Sequence, residues 1–349
     1  MKIAIIAGES FYKTSSLYIA TLLAQNAGNE VYIFNKTQRD ARIPGTINIA
    51  VRPALSGLLP GSLMLQKAIA GLIKKHMPDR IWVFDAEDVI KTPLHQTLIL
   101  NNDHPVEKQV LSKLEAAQRI IVFSKTHLQK LAHLHLPLQE KLMAAPPVIA
   151  ATFGPQLYED RLGAKQEFAD EKEYFAFADF EVDKESFLNL LKAFSAFKKM
   201  QQTNWKLVVA LRPQLSTKDK EEMLTPLSNF KYRQDVNVIN GPGETTLSKM
   251  IAGAYALIST TDKTIYNLPV LEALACSTPA VALRSEIFND YPQIILEATN
   301  SSPDSFAEKM MFLYKNEMKR TLLSESAGGM LKDFDAEKNL TALHQIILE

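Results

Sequence analysis

The sequence predicts an α/β protein made of two doubly wound, Rossmann-like domains that face each other across a cleft. Short apolar stretches alternate with helical patterns through both halves of the chain, and this alternation breaks between about 144 and 172. Because alternating strands and helices require crossover connections, the pattern indicates parallel sheets covered on both faces. A length of 349 residues, 46% of them hydrophobic, is enough for two cores of ordinary size.

The first half alternates apolar runs at strand spacing with apolar residues at helical spacing. We predict strands over 3–7, 30–34, 47–51, 80–85, 96–100 and 119–123. We predict helices over 15–25 and 63–75, after Pro105 and from Thr126. The opening strand, helix and strand form a βαβ unit, and the first domain is assigned to 1–155.

Prolines, a glycine and then a charged run predict an interdomain linker between about 144 and 172. A second α/β set follows, which assigns the second domain to 156–335. Its predicted strands are 174–178, 205–211, 236–240, 256–260 and 280–283. Its predicted helices are 184–199, 218–224, one from Thr245 and a short one from Pro269, with later helices over 306–314 and 340–348.

Composition excludes several classes of function. Lys plus Arg and Asp plus Glu both number 39, so no basic field is available for a nucleic acid partner. The single cysteine, Cys276, rules out an internal disulfide and suits a reducing compartment. No apolar run reaches the length of a signal peptide or a transmembrane segment, which predicts a cytoplasmic protein and leaves peripheral membrane contact open. His133 and His135 lack cysteine or carboxylate partners at ligand spacing, so no metal site is predicted.

The most informative stretch is 267–282, which reads as a loop, a two-turn helix, a turn and an apolar strand. Pro269 suits a helix start because its missing N–H is not needed there. The free N–H groups and the dipole of such a helix start attract an anion, and Glu272, placed in the first turn, is positioned to accept hydrogen bonds from hydroxyls. A ligand that carries a phosphate beside a diol is typical of a nucleotide. The predicted binding residues are Leu268, Pro269, Val270, Leu271 and Glu272.

The run from 268 to 282, LPVLEALACSTPAVA, resembles the donor-binding segment of retaining GT-B glycosyltransferases. These are the glycogen-synthase-like and sucrose-synthase-like enzymes of glycosyltransferase group 1, whose pattern is L-P-x-L-E-A-M-A-x-G-x-P-V-V-A. Segments 72–83 and 117–125 resemble two strands of the same family. The resemblance implies a GT-B fold in which the C-terminal helix, 336–349, packs back on the first domain. It also implies transfer of a sugar from a nucleotide-sugar donor with retention, without a metal or other cofactor.

The resemblance assigns donor-binding roles around this segment. It places Glu272 at the ribose hydroxyls of the donor. Thr264, eight residues earlier, stands where the family has a glutamate that contacts the donor sugar. Residues 265–267 stand where the family has a Gly-Phe-Gly whose backbone approaches the phosphates, and Asn267 is the last of them.

A departing diphosphate needs preorganised positive charge, which the family supplies with an arginine and, five residues later, a lysine. In this sequence those positions are Asp179 and Lys184, so Lys184 is a predicted catalytic residue and one cation is replaced by an acid. Arg212 and Arg284, each at or just past the end of a predicted strand, are candidates to replace the missing arginine.

In the first domain the family has a catalytic histidine or His-Asp pair after a central strand. That pair aligns with Asn102 and Asp103, and His104 lies one residue beyond, so Asp103 and His104 are the predicted catalytic residues there. Two hypotheses remain. The first is a working glycosyltransferase with an unknown acceptor: a sugar, a lipid-linked glycan or a small molecule. The second is a catalytically impaired GT-B protein that binds a nucleotide sugar, a glycan or a partner, as the departures at Asp179, Thr264, Asn267 and Asn102 suggest.

Overall fold

A computed structural model describes residues 1–13, 15–26, 28–37, 43–52, 61–100, 108–134, 136–180, 184–212, 217–261, 266–291, 293–330 and 335–348. The chain forms two compact units. Unit 1 comprises Met1–Pro147 together with Lys338–Glu349, and unit 2 comprises Val148–Glu337. The division falls at Pro147, whereas the sequence-based boundary was placed at 155. The predicted α/β fold with parallel sheets is confirmed.

Unit 1 is built on a seven-stranded parallel sheet in the order β3-β2-β1-β4-β5-β6-β7. Its strands are β1 Lys2–Ala7, β2 Glu30–Asn35, β3 Thr46–Ala50, β4 Arg80–Val83, β5 His95–Leu100, β6 Arg119–Val122 and β7 Leu142–Ala144. Its helices are α1 Glu9–Lys13, α2 Ser16–Asn26, α3 Gly61–His76, α4 Lys108–Ala116 and α5 Lys125–Leu134. Ile5 of β1 lies opposite Ile33 on one side and Trp82 on the other, which sets the register at the centre of the sheet.

Unit 2 contains a six-stranded parallel sheet in the order β10-β9-β8-β11-β12-β13. Its strands are β8 Tyr174–Phe177, β9 Lys206–Leu211, β10 Val236–Asn240, β11 Ala256–Ser259, β12 Ala280–Ala282 and β13 Leu296–Glu297. Its helices are α6 Tyr158–Ala169, α7 Lys184–Gln201, α8 Thr217–Leu224, α9 Glu244–Ala252, α10 Leu268–Ala275, α11 Pro303–Lys315 and α12 Glu317–Met330. All four residues of β8 are buried, as expected for a parallel strand covered on both faces.

Helix α6 differs from the sequence-based prediction, which assigned its residues to a linker. Its sequence, YEDRLGAKQEFA, is dominated by charged and small residues. Only Ala164, Phe168 and Ala169 are buried, so the apolar pattern that would reveal a helix is nearly absent. Packing against α9 explains its position, because Gly253 at the end of α9 leaves room for the Ala164 side chain.

The last helix, α13, spans Ala336–Leu348 and returns the chain to unit 1. Its final carbonyl groups accept hydrogen bonds from two arginines that begin strands: Arg80 donates to Ile347 O at 3.1 Å, and Arg119 donates to Ile346 O. His344 Nε2 lies 2.9 Å from the carbonyl oxygen of Leu23. Positive charge at a helix C-terminus is stabilising, so the two arginines both satisfy carbonyl groups and complement the helix dipole.

Candidate functional site

The polar residues of unit 2 converge at the carboxyl ends of its central strands. Strands β8 and β11 are neighbours, and the chain leaves them toward opposite edges of the sheet, which makes this pair the topological switch point. Ligands of doubly wound proteins bind at such a point, outside the carboxyl ends of the strands. Three segments contribute here: Asp179 follows β8, Arg212 follows β9, and Thr260 and Thr261 follow β11.

Arg212 and Glu272 form a buried ion pair at this end of the sheet. Arg212 NH1 donates to Glu272 Oε1 at 3.1 Å, and Arg212 NH2 donates to Glu272 Oε2. The Glu272 side chain has no solvent exposure, and the Arg212 side chain is 4% exposed. Burial raises the pKa of Glu272, and the arginine opposes that shift by stabilising the carboxylate. The geometry is bidentate, which is the strongest arrangement of an arginine with a carboxylate.

Two contacts that do not involve Glu272 also hold the guanidinium of Arg212. Its Nε donates to the carbonyl oxygen of Ala178 at 2.7 Å, and its Cζ lies 3.9 Å from the centroid of the Phe180 ring. Arg212 therefore reaches across from the end of β9 to the end of β8. Its hydrogen bonds to described residues use three of the five N–H donors of a guanidinium.

Asp179 is a buried carboxylate held by backbone amides. Its Oδ2 accepts from Thr260 N at 2.7 Å and from Thr261 N at 3.3 Å. Its Oδ1 has no hydrogen-bond partner among the described residues. Burial raises the pKa of Asp179 to about 6, against the opposing effect of hydrogen bonds from Ser259 and the two threonines and of the charge of Arg212. Asp179, which stands where the resemblance expects an arginine, therefore bonds to the backbone that follows β11 at the switch point.

Helix α10 begins one residue earlier than predicted, at Leu268. Glu272 is therefore its fifth residue and lies in the second turn, not in the first. Residues 268–271 are all buried, and Leu268 N donates to Tyr266 O at 2.7 Å. Asn267 precedes the helix and makes no side-chain capping bond; its Nδ2 donates instead to Ser259 Oγ at 3.2 Å. Asn267 thus ties the start of α10 to the end of β11.

The remaining predicted residues divide into two groups. Lys184 is exposed and is the first residue of α7, as predicted from the sequence. Thr264, Asp103 and His104 lie outside the described residues. Arg284 is exposed and bonds to Asn289 Oδ1 and Glu297 Oε2, away from the Arg212 and Glu272 pair. Of the two arginines considered as replacements, Arg212 is therefore the one that reaches the end of β8.

Unit 1 has a comparable buried carboxylate, Asp88, at its own switch point between β1 and β4. The sequence analysis did not predict it. Asp88 Oδ2 accepts from Gly8 N at 3.0 Å, and Lys36 Nζ lies 2.5 Å from Asp88 Oδ1. Asp88 is 3% exposed, and burial raises its pKa while Lys36 opposes the shift. The signal was available, because Gly8 follows the first strand and Asp88 lies just after the fourth, the two positions that meet at a switch point.

The described part of the chain contains no group of three or more His, Cys, Asp or Glu side chains that could hold a metal ion. Nor does any helix within the described ranges combine the length and the apolar character needed to cross a membrane.

The fold is that of GT-B glycosyltransferases. A glycosyltransferase from Rickettsia africae ESF-5 is 10% identical with a TM-score of 0.71, covering 100% of this chain and 98% of the other. Alr3699/HepE from Anabaena, solved in complex with UDP and glucose, is 11% identical with a TM-score of 0.73 and 100% coverage of both chains. WaaG, a glycosyltransferase involved in lipopolysaccharide biosynthesis, is 14% identical with a TM-score of 0.72 and 99% coverage of both. No curated protein sequence matches the chain.

The family model described as "Glycosyl transferases group 1" matches residues 159–329, which is most of unit 2. The match within unit 2, together with the glycosyltransferase folds among the structural neighbours, supports a glycosyltransferase enzyme. This confirms the class of enzyme expected from the resemblance of 268–282. These findings do not favour the catalytically impaired alternative.

Proposed function

We propose that the chain transfers a sugar from a nucleotide-diphosphate donor to an acceptor with retention at the anomeric carbon. The observation that best supports this proposal is that Asp179, Arg212 and Glu272 converge at the switch point of unit 2, inside the segment that matches the group 1 family. A nucleotide needs a cation for its phosphates beside a carboxylate for its ribose hydroxyls, and Arg212 and Glu272 at this edge of the sheet are such a pair. The acceptor is a sugar, a lipid-linked glycan or a small molecule.

The proposed roles follow from charge and position. Glu272 accepts the ribose hydroxyls, while Arg212 and Lys184 stabilise the diphosphate as it leaves. The start of α10, with Leu268, Pro269, Val270 and Leu271, adds the positive end of a helix dipole. Arg212, Lys184 and the start of α10 supply the positive charge that a metal ion supplies in other transferases, so we propose no metal or other cofactor. Thr264 at the donor sugar, and Asp103 and His104 in unit 1, keep the roles that the resemblance gives them.

The donor class is supported by a neighbouring fold. Alr3699/HepE was solved in complex with UDP-glucose, at 12% identity and a TM-score of 0.73. UDP-sugars are therefore the first donors to test, followed by those of guanosine, adenosine and cytidine diphosphates.

The test is hydrolysis of the donor, because many transferases lose donor to water when the true acceptor is absent. We expect slow release of nucleoside diphosphate from one donor of the panel. Lys184→Ala should lower kcat by about 10² or more, since the lysine acts on charge that develops in the transition state. Lys192→Ala, which removes an exposed lysine from the same helix, is the matched control and should have no effect.

The anomeric configuration of the released sugar, read by NMR before mutarotation, tests retention. Inversion would refute the retaining mechanism. The absence of both donor binding and hydrolysis across the panel would refute the proposed function. Binding of a nucleotide sugar without any turnover, even after a broad acceptor screen, would indicate a binding protein.

A further inference from the structure

The buried pair of Arg212 and Glu272 poses a problem for donor binding. Both carboxylate oxygens of Glu272 are engaged by one guanidinium, and the side chain has no solvent exposure. Because this carboxylate has no solvent exposure, ribose hydroxyls reach it only when a group that covers it moves, and the guanidinium covers both of its oxygens. The same guanidinium is the cation that the site offers to a diphosphate. The contact between Arg212 and Glu272 therefore engages both groups that the donor site requires, the carboxylate and the cation.

Opening the pair without replacing both partners is unfavourable. Breaking a buried ion pair leaves an uncompensated charge, which reduces the equilibrium constant by a factor of about 10² to 10⁴. A phosphate alone would satisfy Arg212 and leave Glu272 buried without a partner. A nucleoside alone would satisfy Glu272 and leave Arg212 without one.

We infer that Arg212 exchanges partners on donor binding, from the carboxylate of Glu272 to the diphosphate, and that only a ligand carrying both an anion and a vicinal diol can drive the exchange. The inference rests on the proposed function and adds a selection rule to it. The site would reject free phosphate, pyrophosphate and free nucleosides although it binds the nucleotide that combines them.

The surroundings of Arg212 allow such an exchange without releasing the whole side chain. The bond from Nε to the Ala178 carbonyl and the stacking on Phe180 are independent of Glu272. They hold the guanidinium at the end of β8 while its two terminal nitrogens change partners. The charge of Arg212 also acts on Asp179, so two carboxylates and one guanidinium leave a net negative charge of one among the three side chains, which further disfavours an anion that brings no diol.

The first experiment uses the wild-type protein, with inorganic pyrophosphate and the nucleoside whose diphosphate binds best in a screen. Calorimetry should show pyrophosphate binding at least tenfold tighter when the nucleoside is saturating, because each ligand satisfies one of the two separated charges. By linkage, pyrophosphate should tighten nucleoside binding by the same factor. Affinities that are independent within twofold would overturn the exchange.

The second experiment removes the charge that holds Arg212. Glu272→Gln should bind pyrophosphate at least tenfold more tightly than wild type without any nucleoside, and the cooperativity should disappear. Glu244→Gln removes an exposed carboxylate on α9 that acts on Glu272 only through its charge, and it should leave the affinity for pyrophosphate unchanged. A simple ribose-binding role for Glu272 predicts no gain for pyrophosphate, so an unchanged affinity in Glu272→Gln overturns the inference.

The outcomes separate this inference from the proposed function. If wild type binds a nucleoside diphosphate but shows neither cooperativity nor a gain in Glu272→Gln, the exchange is wrong and the donor site stands. If wild type binds no nucleoside diphosphate at millimolar concentration, both are wrong. Should Glu272→Gln fail to fold, as its thermal unfolding would show, the wild-type cooperativity decides alone.

Discussion

Replacing Asp179 by asparagine should change how the stability of unit 2 depends on pH. The Asp179 carboxylate is buried next to Ser259, Thr260 and Thr261, and burial raises its pKa from 3.8 to about 6. The folded protein therefore holds this proton more tightly than the unfolded chain does. An asparagine at this position keeps an oxygen that accepts from the two threonine amides but cannot titrate.

The sign and size of the effect follow from that shift. A folded-state pKa above the ordinary value contributes stability that is complete below about pH 3.8 and is lost as the pH rises through about 6. Each pKa unit corresponds to about 1.4 kcal/mol, so the shift from 3.8 to about 6 amounts to about 3 kcal/mol. Because the unfolded carboxyl is already partly ionised at pH 4, Asp179→Asn should gain about 2 kcal/mol relative to wild type between pH 4 and pH 7.5.

Urea unfolding at a series of pH values measures this difference. The chain has two tryptophans, Trp82 in unit 1 and Trp205 in unit 2, so fluorescence in a Trp82→Phe background reports on unit 2 alone. Glu185→Gln removes an exposed carboxylate from the same unit and should show no such trend. A difference between Asp179→Asn and its parent that stays constant from pH 4 to 7.5 would refute the reasoning.

Two glycines give sharp predictions for packing. A Cβ at Gly8 would lie 2.5 Å from Asp88 Oδ1, so Gly8→Ala should lower the free energy of unfolding of unit 1 by about 1–3 kcal/mol, measured by urea denaturation. Gly71→Ala, within α3 with open space around it, is its control and should be neutral or stabilising by up to about 1 kcal/mol; equal effects of the two changes would contradict the contact. A Cβ at Gly253 would lie 2.5 Å from Ala164 Cβ and 2.8 Å from the Tyr174 hydroxyl, so Gly253→Ala should destabilise unit 2 by about 1–3 kcal/mol. Gly243→Ala, where a Cβ would meet no described atom within 4 Å, should not destabilise unit 2. A Gly253→Ala protein as stable as wild type would show that this contact does not restrict the packing of α6 on α9.

The alternation of strands and helices was predictable because buried parallel strands are nearly continuous apolar runs. Strand β1, with five buried residues in six, and β8, with four in four, are easily recognised. Helix α6 was not, since its few buried side chains leave no apolar stripe. Strand β13 was missed for a related reason: it has two residues, neither of them buried.

The candidate site was predictable only in part. A sequence motif identifies Glu272 and a strand end identifies Arg212, but the bond between them joins residues 60 positions apart. Nothing in local spacing encodes that contact, because it depends on β9 and α10 being brought to the same edge by the order of the strands. The position of Asp88 after the fourth strand offered a signal, but its contact with Gly8, 80 residues away, likewise depends on the order of the strands.

The departures from the family pattern in unit 2 are best understood together. The resemblance expects a cation at the end of β8, where this chain has Asp179. Strand β9 lies beside β8, and Arg212 at its end donates to the carbonyl of Ala178, the residue immediately before Asp179. At this end of β8 the chain therefore has the guanidinium of Arg212, which comes from the neighbouring strand. There the guanidinium bonds to Glu272, and Asp179 accepts hydrogen bonds from the amides of Thr260 and Thr261. The three residues thus form one rearranged unit, and Asp179→Arg, which restores the residue of the family pattern, should disrupt the contacts of Arg212 with Ala178 and Glu272.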